Sequence, residues 1–422
     1  MFREISQFIL KVKQKYFSSG VILFLPQIVS LGISMITLPI ILSNLSIDDY
    51  GRYQFVLAIE TWVLALTGSY ITNGVKSAIA NGFKGTFFYA FFYRLRLAAI
   101  VMLFGFVVII IFFLQQSSLI AILLCIVFIY AIFGQIVNTS FINYLISTKR
   151  FKEKAAWEIS IGLIVNLTAL ASAYYTHNII IFVISSFGSL VLLSWIGFIY
   201  VSKKDHLLSE FKKNNIDKKC VSFGLKMIPA NIINITSTKI SSIIIGLFLG
   251  YTTLSTFSVA DNLRNKFAMV VRIIDPLLYA DFAKQKKGDL VQSIKSKLKI
   301  FFLISIIFTL IVLAIGYGYI SLFFPTDYQI TKIYFMILAL TFPFSAVSYI
   351  FDVLFQSHLL HRETSIESIS VDILKILLIL LFGYLWGILG ICVAITLSSW
   401  MAFFIYYLLI FKPQVLPSFL KR

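Results

Sequence analysis

The sequence predicts an all-α polytopic membrane protein: twelve transmembrane helices in two six-helix bundles around a central cavity, with N- and C-termini cytoplasmic. Three observations predict it. First, 59% of the 422 residues are apolar and 13% charged, with a mean hydropathy of +0.93, against about 45–50% and about 25% in soluble domains. Second, that apolar share supplies the roughly 240 residues that twelve spans of about 20 require. Third, the Lys and Arg residues behind the net charge of +18 gather in alternate connections, as cytoplasmic loops do. Such a composition excludes a soluble enzyme, a disordered chain and a secreted disulfide scaffold. It also makes topology, not nucleic-acid binding, the reason for the basic charge.

In chain order, residues 1–18 come first. Phe2, Ile5, Phe8, Ile9, Val12 and Tyr16 recur at helical spacing among basic and polar positions. This predicts an amphipathic helix lying on anionic cytoplasmic lipid. The apolar run that follows is too long for a cleavable signal core. Six spans are expected at 19–43, 52–75, 97–114, 119–147, 156–176 and 179–201, and six more at 223–249, 255–281, 299–324, 331–358, 366–385 and 388–411. The connections 76–96, 149–155, 202–222, 282–298 and 359–365 are basic, as is the tail 412–422. Those between them are short and poor in Lys and Arg. An even number of crossings with both ends on the basic side is self-consistent. The linker 202–222 carries Lys203, Lys204, Lys212, Lys213, Lys218 and Lys219 and separates a bundle at 19–201 from one at 223–411. Pro26 and Pro229 occupy matching places early in the first span of each half. A parallel repeat would put them there, where proline loosens the backbone and permits bending.

Catalytic and cofactor signatures are missing. There is no G-x-x-x-x-G-K-[S/T] phosphate loop, and Cys125, Cys220 and Cys392 lack metal-ligand spacing. His358 and His361 sit three apart at a span end with no third ligand suggested. The outward connections are too short to hold an external catalytic domain. The expectation is a carrier with no cofactor and no metal, not an enzyme.

Ionisable residues inside spans carry the functional signal, because each costs several kcal/mol unless it faces a polar cavity or a partner. In span eight, Asp261, Arg264, Asn265, Ala268, Arg272 and Asp275 share one helical face, with Lys266 on its flank. Span seven sets Lys239 beside a stripe of Asn231, Asn234, Thr238, Ser241 and Ser242. Span eleven carries Glu367, Asp372 and Lys375, span two aligns Tyr53, Glu60 and Thr67, and span ten ends with Asp352 and Gln356. The i,i+3 pairs Asp261–Arg264, Arg272–Asp275 and Asp372–Lys375 could simply neutralise one another. Lys239, Lys266 and Glu60 show no local partner. Several cations at depth suit a wet cavity that receives an anion. Phosphate is the natural guest, since Arg binds it bidentately and Lys as a point charge.

The stretch Leu38-Pro39-Ile40-Ile41-Leu42-Ser43-Asn44-Leu45-Ser46-Ile47-Asp48-Asp49-Tyr50-Gly51 resembles the first-span exit of the O-antigen and polysaccharide flippases. In that family a proline near the span end precedes an LG-x-x-x-YG turn; here Ser46 stands in place of the usual Gly. Leu249-Gly250-Tyr251-Thr252-Thr253-Leu254 is similar to the repeated turn but lacks the Tyr-Gly. The resemblance implies the polysaccharide transporter branch of the multidrug/oligosaccharidyl-lipid/polysaccharide exporter superfamily, with two six-helix bundles forming a V. It implies an undecaprenyl-pyrophosphate-linked oligosaccharide, flipped by alternating access from the cytoplasmic to the periplasmic leaflet of a bacterial inner membrane. The implied partners are that substrate, membrane lipids, and the polysaccharide polymerase and chain-length machinery, with no nucleic acid. Lys239, Arg264, Lys266, Arg272 and Lys375 are then expected to bind the diphosphate. Glu60, Asp261, Asn265 and Asp372 are expected to supply polar contacts or ion coupling. Two alternatives stand beside this reading: a cation-coupled multidrug efflux carrier of the same superfamily, which should have an acidic cavity, and a membrane polysaccharide polymerase.

Overall fold

The computed structural model describes residues 25–68, 71–115, 117–226, 228–272, 282, 287–357 and 361–411. The expected amphipathic helix at 2–16 and the tail 412–422 lie outside them. Every regular element among the described residues is helical. In order these are α1 (Leu25–Asn44), α2 (Ile47–Leu66), α3 (Ile71–Ala80), α4 (Thr86–Leu114), α5 (Ser118–Ser147), α6 (Phe151–Thr176) and α7 (Ile179–Lys204). The short α8 (Leu207–Lys212) and α9 (Lys219–Lys226) follow, then α10 (Ile228–Ile244) and α11 (Tyr251–Arg272). The last are α12 (Lys287–Phe323), α13 (Thr331–Ala339), α14 (Phe342–Ser357) and α15 (His361–Phe411), which Gly387 breaks. Single π turns interrupt α5 at Ala131–Gln135 and extend α10 at Ile245–Leu249.

Among the described residues, eight helical stretches are long and apolar enough to cross a membrane, and ten if the bent pairs α2–α3 and α13–α14 each count as one. The stretch Glu367–Phe411 counts once in that number although Gly387 divides it. Helix α11 is 22 residues long, about 33 Å at about 1.5 Å per residue, yet Asp261, Arg264, Lys266 and Arg272 make it too polar to be counted. Large apolar side chains left bare on the helices, such as Leu103, Leu114 and Leu322, are what lipid-facing surfaces present.

Local chemistry explains the boundaries. The Ser46 side chain accepts a hydrogen bond from the Asp49 N–H (3.1 Å) and caps α2. Asp48 and Asp49 lie in its first turn, where acidic groups suit the helix dipole, and Arg52 pairs with both. Asn178 Oδ1 caps α7 by accepting from the Ile180 N–H (2.9 Å). Two elements depart from expectation. Helix α4 begins at Thr86, so Arg94 and Arg96 lie inside it and not in a loop 76–96. Helix α12 begins at Lys287, which makes most of 282–298 helical. In both places a basic side chain was read as the end of an apolar run, while the backbone simply continues.

The chain divides into two compact units, one spanning 21–247 and the other including 248–422. Expectation put the boundary in the linker 202–222. The packing instead joins span seven to the first unit, because α9 packs on α3 and α10 runs along α2. Gly224 makes this approach possible: a Cβ there would lie 2.5 Å from Ile71 Cα. The linker itself is docked. Leu207 is fully buried, and Phe211 packs on Phe88 and Phe92. Asn215 Nδ2 donates to Gly82 O (3.1 Å), and the Asp217 N–H to Thr86 Oγ1 (2.9 Å). Arg150 ties Glu153 to Asp205 beneath it. The core of this unit stacks Phe87, Phe91 and Tyr144 around Phe198 and Phe141.

In the second unit α11 packs on α13, α12 on α14, and α14 on α15. The α13–α14 pair bends by 48°, which frees carbonyls that a lipid environment cannot satisfy. The last helix meets them: Thr396 Oγ1 donates to Ile337 O (2.9 Å) and Trp400 Nε1 to Leu340 O (2.9 Å). Phe351, Phe403 and Phe355 form the core beside this bend.

Candidate functional site

The predicted site residues divide between the two units. In the first unit, α2 carries Glu60, which is only 8% exposed. Tyr53 lies two turns earlier on the same helix, as the spacing required. Tyr53 packs edge-on to Phe182 (5.3 Å between centroids), and Tyr130 stacks on Phe187 (4.2 Å, 10° between planes). Tyr130 ends the regular part of α5, directly before the π turn, and its hydroxyl donates to Gln135 Oε1 (3.2 Å) inside that turn. π turns widen a helix locally and recur at functional sites. Both tyrosines interact electrostatically with Glu60. Lys239, half-buried on α10, lies within Coulombic reach of Glu60. Neither has an opposite charge within one turn of its own helix; the two interact with each other from α2 to α10. Local spacing could not reveal this, because the two positions belong to distant stretches of chain.

In the second unit, Asp261, Arg264 and Asn265 close into a triad on one face of α11. Arg264 pairs with Asp261 at 2.8 Å and donates to Asn265 Oδ1 (2.9 Å), and Asn265 Nδ2 donates to Asp261 Oδ2 (3.1 Å). Arg264 is thus held by its own i+3 neighbour, with the two side chains 16% and 25% exposed. Arg272 is exposed and lays its guanidinium over the Tyr349 ring at 4.3 Å. Its expected partner Asp275 lies outside the described residues. Lys266 is half-buried on α11; Lys375 is half-buried on α15, one turn after the buried Asp372.

Two features were missed by sequence reasoning. Arg94 is 2% exposed inside the first unit, where one guanidinium nitrogen donates to Thr139 Oγ1 (2.8 Å) and Nε has no hydrogen-bond partner. The aromatic run Phe87 to Tyr93 immediately before it was the available signal. In the second unit the Tyr406 hydroxyl hydrogen-bonds to both Glu367 and Asp352, with Asp372 close to Glu367. Two acidic residues, one from α14 and one from α15, therefore meet at one tyrosine. Among the described residues no set of three or more His, Cys, Asp or Glu is arranged to hold a metal ion; the His358 and His361 side chains are not among those described.

Set beside known proteins, a family model described as polysaccharide biosynthesis protein matches residues 44–300. No curated protein matches the chain. Solved structures resemble it over nearly its whole length. A MOP superfamily transporter from Pyrococcus furiosus, described as having a binding pocket of reverse polarity, is 13% identical over 96% of each chain, with a TM-score of 0.66. An inward-facing multidrug resistance MATE family transporter of the same superfamily is 15% identical over 91% of this chain and 97% of its own, at 0.63. The lipid II flippase MurJ in an inward closed conformation is 13% identical over 95% of this chain and 88% of its own, at 0.57. At such identities the likeness shows the fold alone.

Proposed function

The chain belongs to the polysaccharide biosynthesis protein family, and from that membership we propose that it is a carrier that flips a lipid-linked oligosaccharide across a membrane. We read its helices as twelve crossings with both termini cytoplasmic: α2–α3 and α13–α14 each cross once, α11 crosses despite its charges, and the two arms of α15 cross separately. The substrate class is an oligosaccharide joined through a diphosphate to a polyprenol such as undecaprenol. In this reading it passes from the cytoplasmic to the periplasmic leaflet of a bacterial inner membrane, ahead of assembly into O-antigen or a similar polymer by the polymerase and chain-length machinery. Alternating access moves the headgroup while the prenyl tail stays in lipid.

The observation that carries the proposal is the placement of basic side chains along the helices: Lys239 in the first unit, and Arg264, Lys266, Arg272 and Lys375 in the second. Cations along the spanning helices suit an anionic substrate, and a diphosphate is one. Arg and Lys then divide the work, with bidentate hydrogen bonds from Arg and point charges from Lys. Polar stripes on α2 and α10 offer hydrogen bonds to sugar hydroxyls. Asp261 orients Arg264, and Asp372 stands one turn from Lys375.

The likeness in fold to a multidrug transporter keeps drug efflux as the second reading. Organic cations call for an acidic cavity, whereas here basic groups outnumber the acids among the predicted site residues. Deletion of the gene separates the two. The flippase reading predicts that diphosphate-linked oligosaccharide accumulates on the cytoplasmic side while dye export is unchanged. Dye retention with normal surface polymer would favour efflux, and elongation of saccharide chains by the purified protein would favour a polymerase.

A further inference from the structure

Helix α6 carries Lys154, Glu158, Gly162 and Asn166 four residues apart. At about 100° per residue they lie about 100–180° around the helix from Leu167, whose side chain is bare as on a lipid-facing surface. Ala155, Ala169 and Ala173 share their side of the helix and are buried in the first unit. Within this packed side Gly162 leaves a gap: among the described residues, a Cβ there would meet nothing within 4 Å. Asn166 borders the gap. Its Nδ2 donates to Gly162 O (2.7 Å), and its Oδ1 accepts from Thr37 Oγ1 of α1 (3.5 Å). A carboxamide has two N–H donors and two acceptor positions, so one of each is left over. Glu158 gives one oxygen to Lys154 (2.6 Å), and its other oxygen accepts no hydrogen bond among the described residues. Farther along α6, Thr168 and Ser172 close onto Ser189 and Ser185 of α7 (3.0 and 2.7 Å). Those hydroxyls are used up within the fold; the groups around the gap are not.

We infer, on the carrier reading above, that Glu158, Gly162 and Asn166 of α6 with Thr37 of α1 form a carbohydrate subsite for the sugar part of the substrate. Charge separates this stripe from the places suited to phosphate. Lys154 and Glu158 cancel, and Asn166 and Thr37 are neutral, so the stripe has no net charge to set against a diphosphate. It offers donors and acceptors instead: a spare N–H on Asn166, a spare acceptor position beside it, and the second oxygen of Glu158. Sugar hydroxyls, each a donor and an acceptor at once, match that set. The gap at Gly162 leaves room for a ring between the two polar ends. From Glu158 to Asn166 the stripe runs about 12 Å along the helix axis, which suits sugar units in file. Asn166 stands near the middle of the 26-residue helix, at a depth where lipid offers its carboxamide no partner; a passing hydroxyl does.

The test uses the full chain in lipid nanodiscs. The probes are short-chain prenyl diphosphate diesters of N-acetylglucosamine, glucose and galactose. The methyl diester, which keeps both phosphate charges and lacks the sugar, is the reference. Calorimetry gives Kd for each. Wild type should bind at least one sugar diester roughly tenfold more tightly than the methyl diester, as two or more hydrogen bonds provide. Asn166→Leu should lose roughly three- to tenfold for that sugar diester and nothing for the methyl diester. Gly162→Leu fills the gap with a good helix former, so it should fold at least as well as wild type and lose the sugar preference. It serves as the second variant if Asn166→Leu does not fold. Equal wild-type affinity for the methyl diester and all three sugar diesters overturns the subsite but leaves the carrier reading standing. So does a sugar preference that survives in Gly162→Leu, or a variant that loses affinity for the methyl diester to the same extent. No binding of any diester by wild type overturns both.

Discussion

Replacing Asp261 with Asn should tighten anion binding. In the structure Asp261 holds Arg264 at 2.8 Å, and Asn265 closes the triad with bonds of 2.9 and 3.1 Å. Asparagine keeps the size of the side chain and an acceptor for Asn265, but removes the negative charge that competes with phosphate for the guanidinium. An ion pair partly sheltered from solvent contributes about 1–3 kcal/mol. The two side chains are 16% and 25% exposed, so solvent screening takes off only part of this. Released to the ligand, that energy corresponds to a Kd roughly ten- to a hundredfold tighter, at about 1.4 kcal/mol per decade. The assay is titration of the prenyl diphosphate diester into nanodisc-embedded protein, with a melting curve for each variant. Arg264→Gln should weaken binding, and the double variant should be no tighter than Arg264→Gln alone. Unchanged or weaker binding by a well-folded Asp261→Asn protein would show that Arg264 is a structural cation, and the reasoning about this triad would be wrong.

Three further outcomes are expected. Gly224→Ala should destabilise the first unit by roughly 1–3 kcal/mol, since its Cβ would meet the Ile71 backbone at 2.5 Å; a lowered melting temperature checks it. Gly387→Ala should cost about 1–3 kcal/mol, because φ 58° with ψ −137° is a conformation that side chains disfavour. Thermal unfolding in detergent reads it. Arg94→Met should leave the melting temperature unchanged or raise it, because it replaces a buried cation whose Nε is unpaired with an apolar chain of similar length. A large fall would mean that the guanidinium is structurally required.

Much of the fold was legible because apolar runs and charge asymmetry are local signals. The spans at 119–147 and 179–201 begin within a residue of α5 and α7 for that reason. Charges misled where a helix tolerates them: Arg94 disappears into the protein interior, and the lysines at the start of α12 ride on an extended helix. Allegiance between elements was not legible. That α9 packs on α3 depends on Gly224 meeting Ile71, a contact between stretches far apart in sequence. The candidate site divides the same way. The Asp261–Arg264 pair follows from i,i+3 spacing and was foreseen as an alternative. The Glu60–Lys239 couple and the meeting of Tyr406 with Glu367 and Asp352 join separate helices and appear only with the tertiary structure.

The central claim is that basic side chains on the spanning helices carry a diphosphate headgroup across the bilayer. Its most direct measurement is the rate at which a fluorescent prenyl-diphosphate sugar changes leaflets in liposomes containing the purified protein. Wild type should move it well above the rate in protein-free liposomes, and Lys266→Gln combined with Lys375→Gln should abolish that gain while the protein remains folded. Equal rates in wild-type, doubly substituted and empty liposomes would contradict the account.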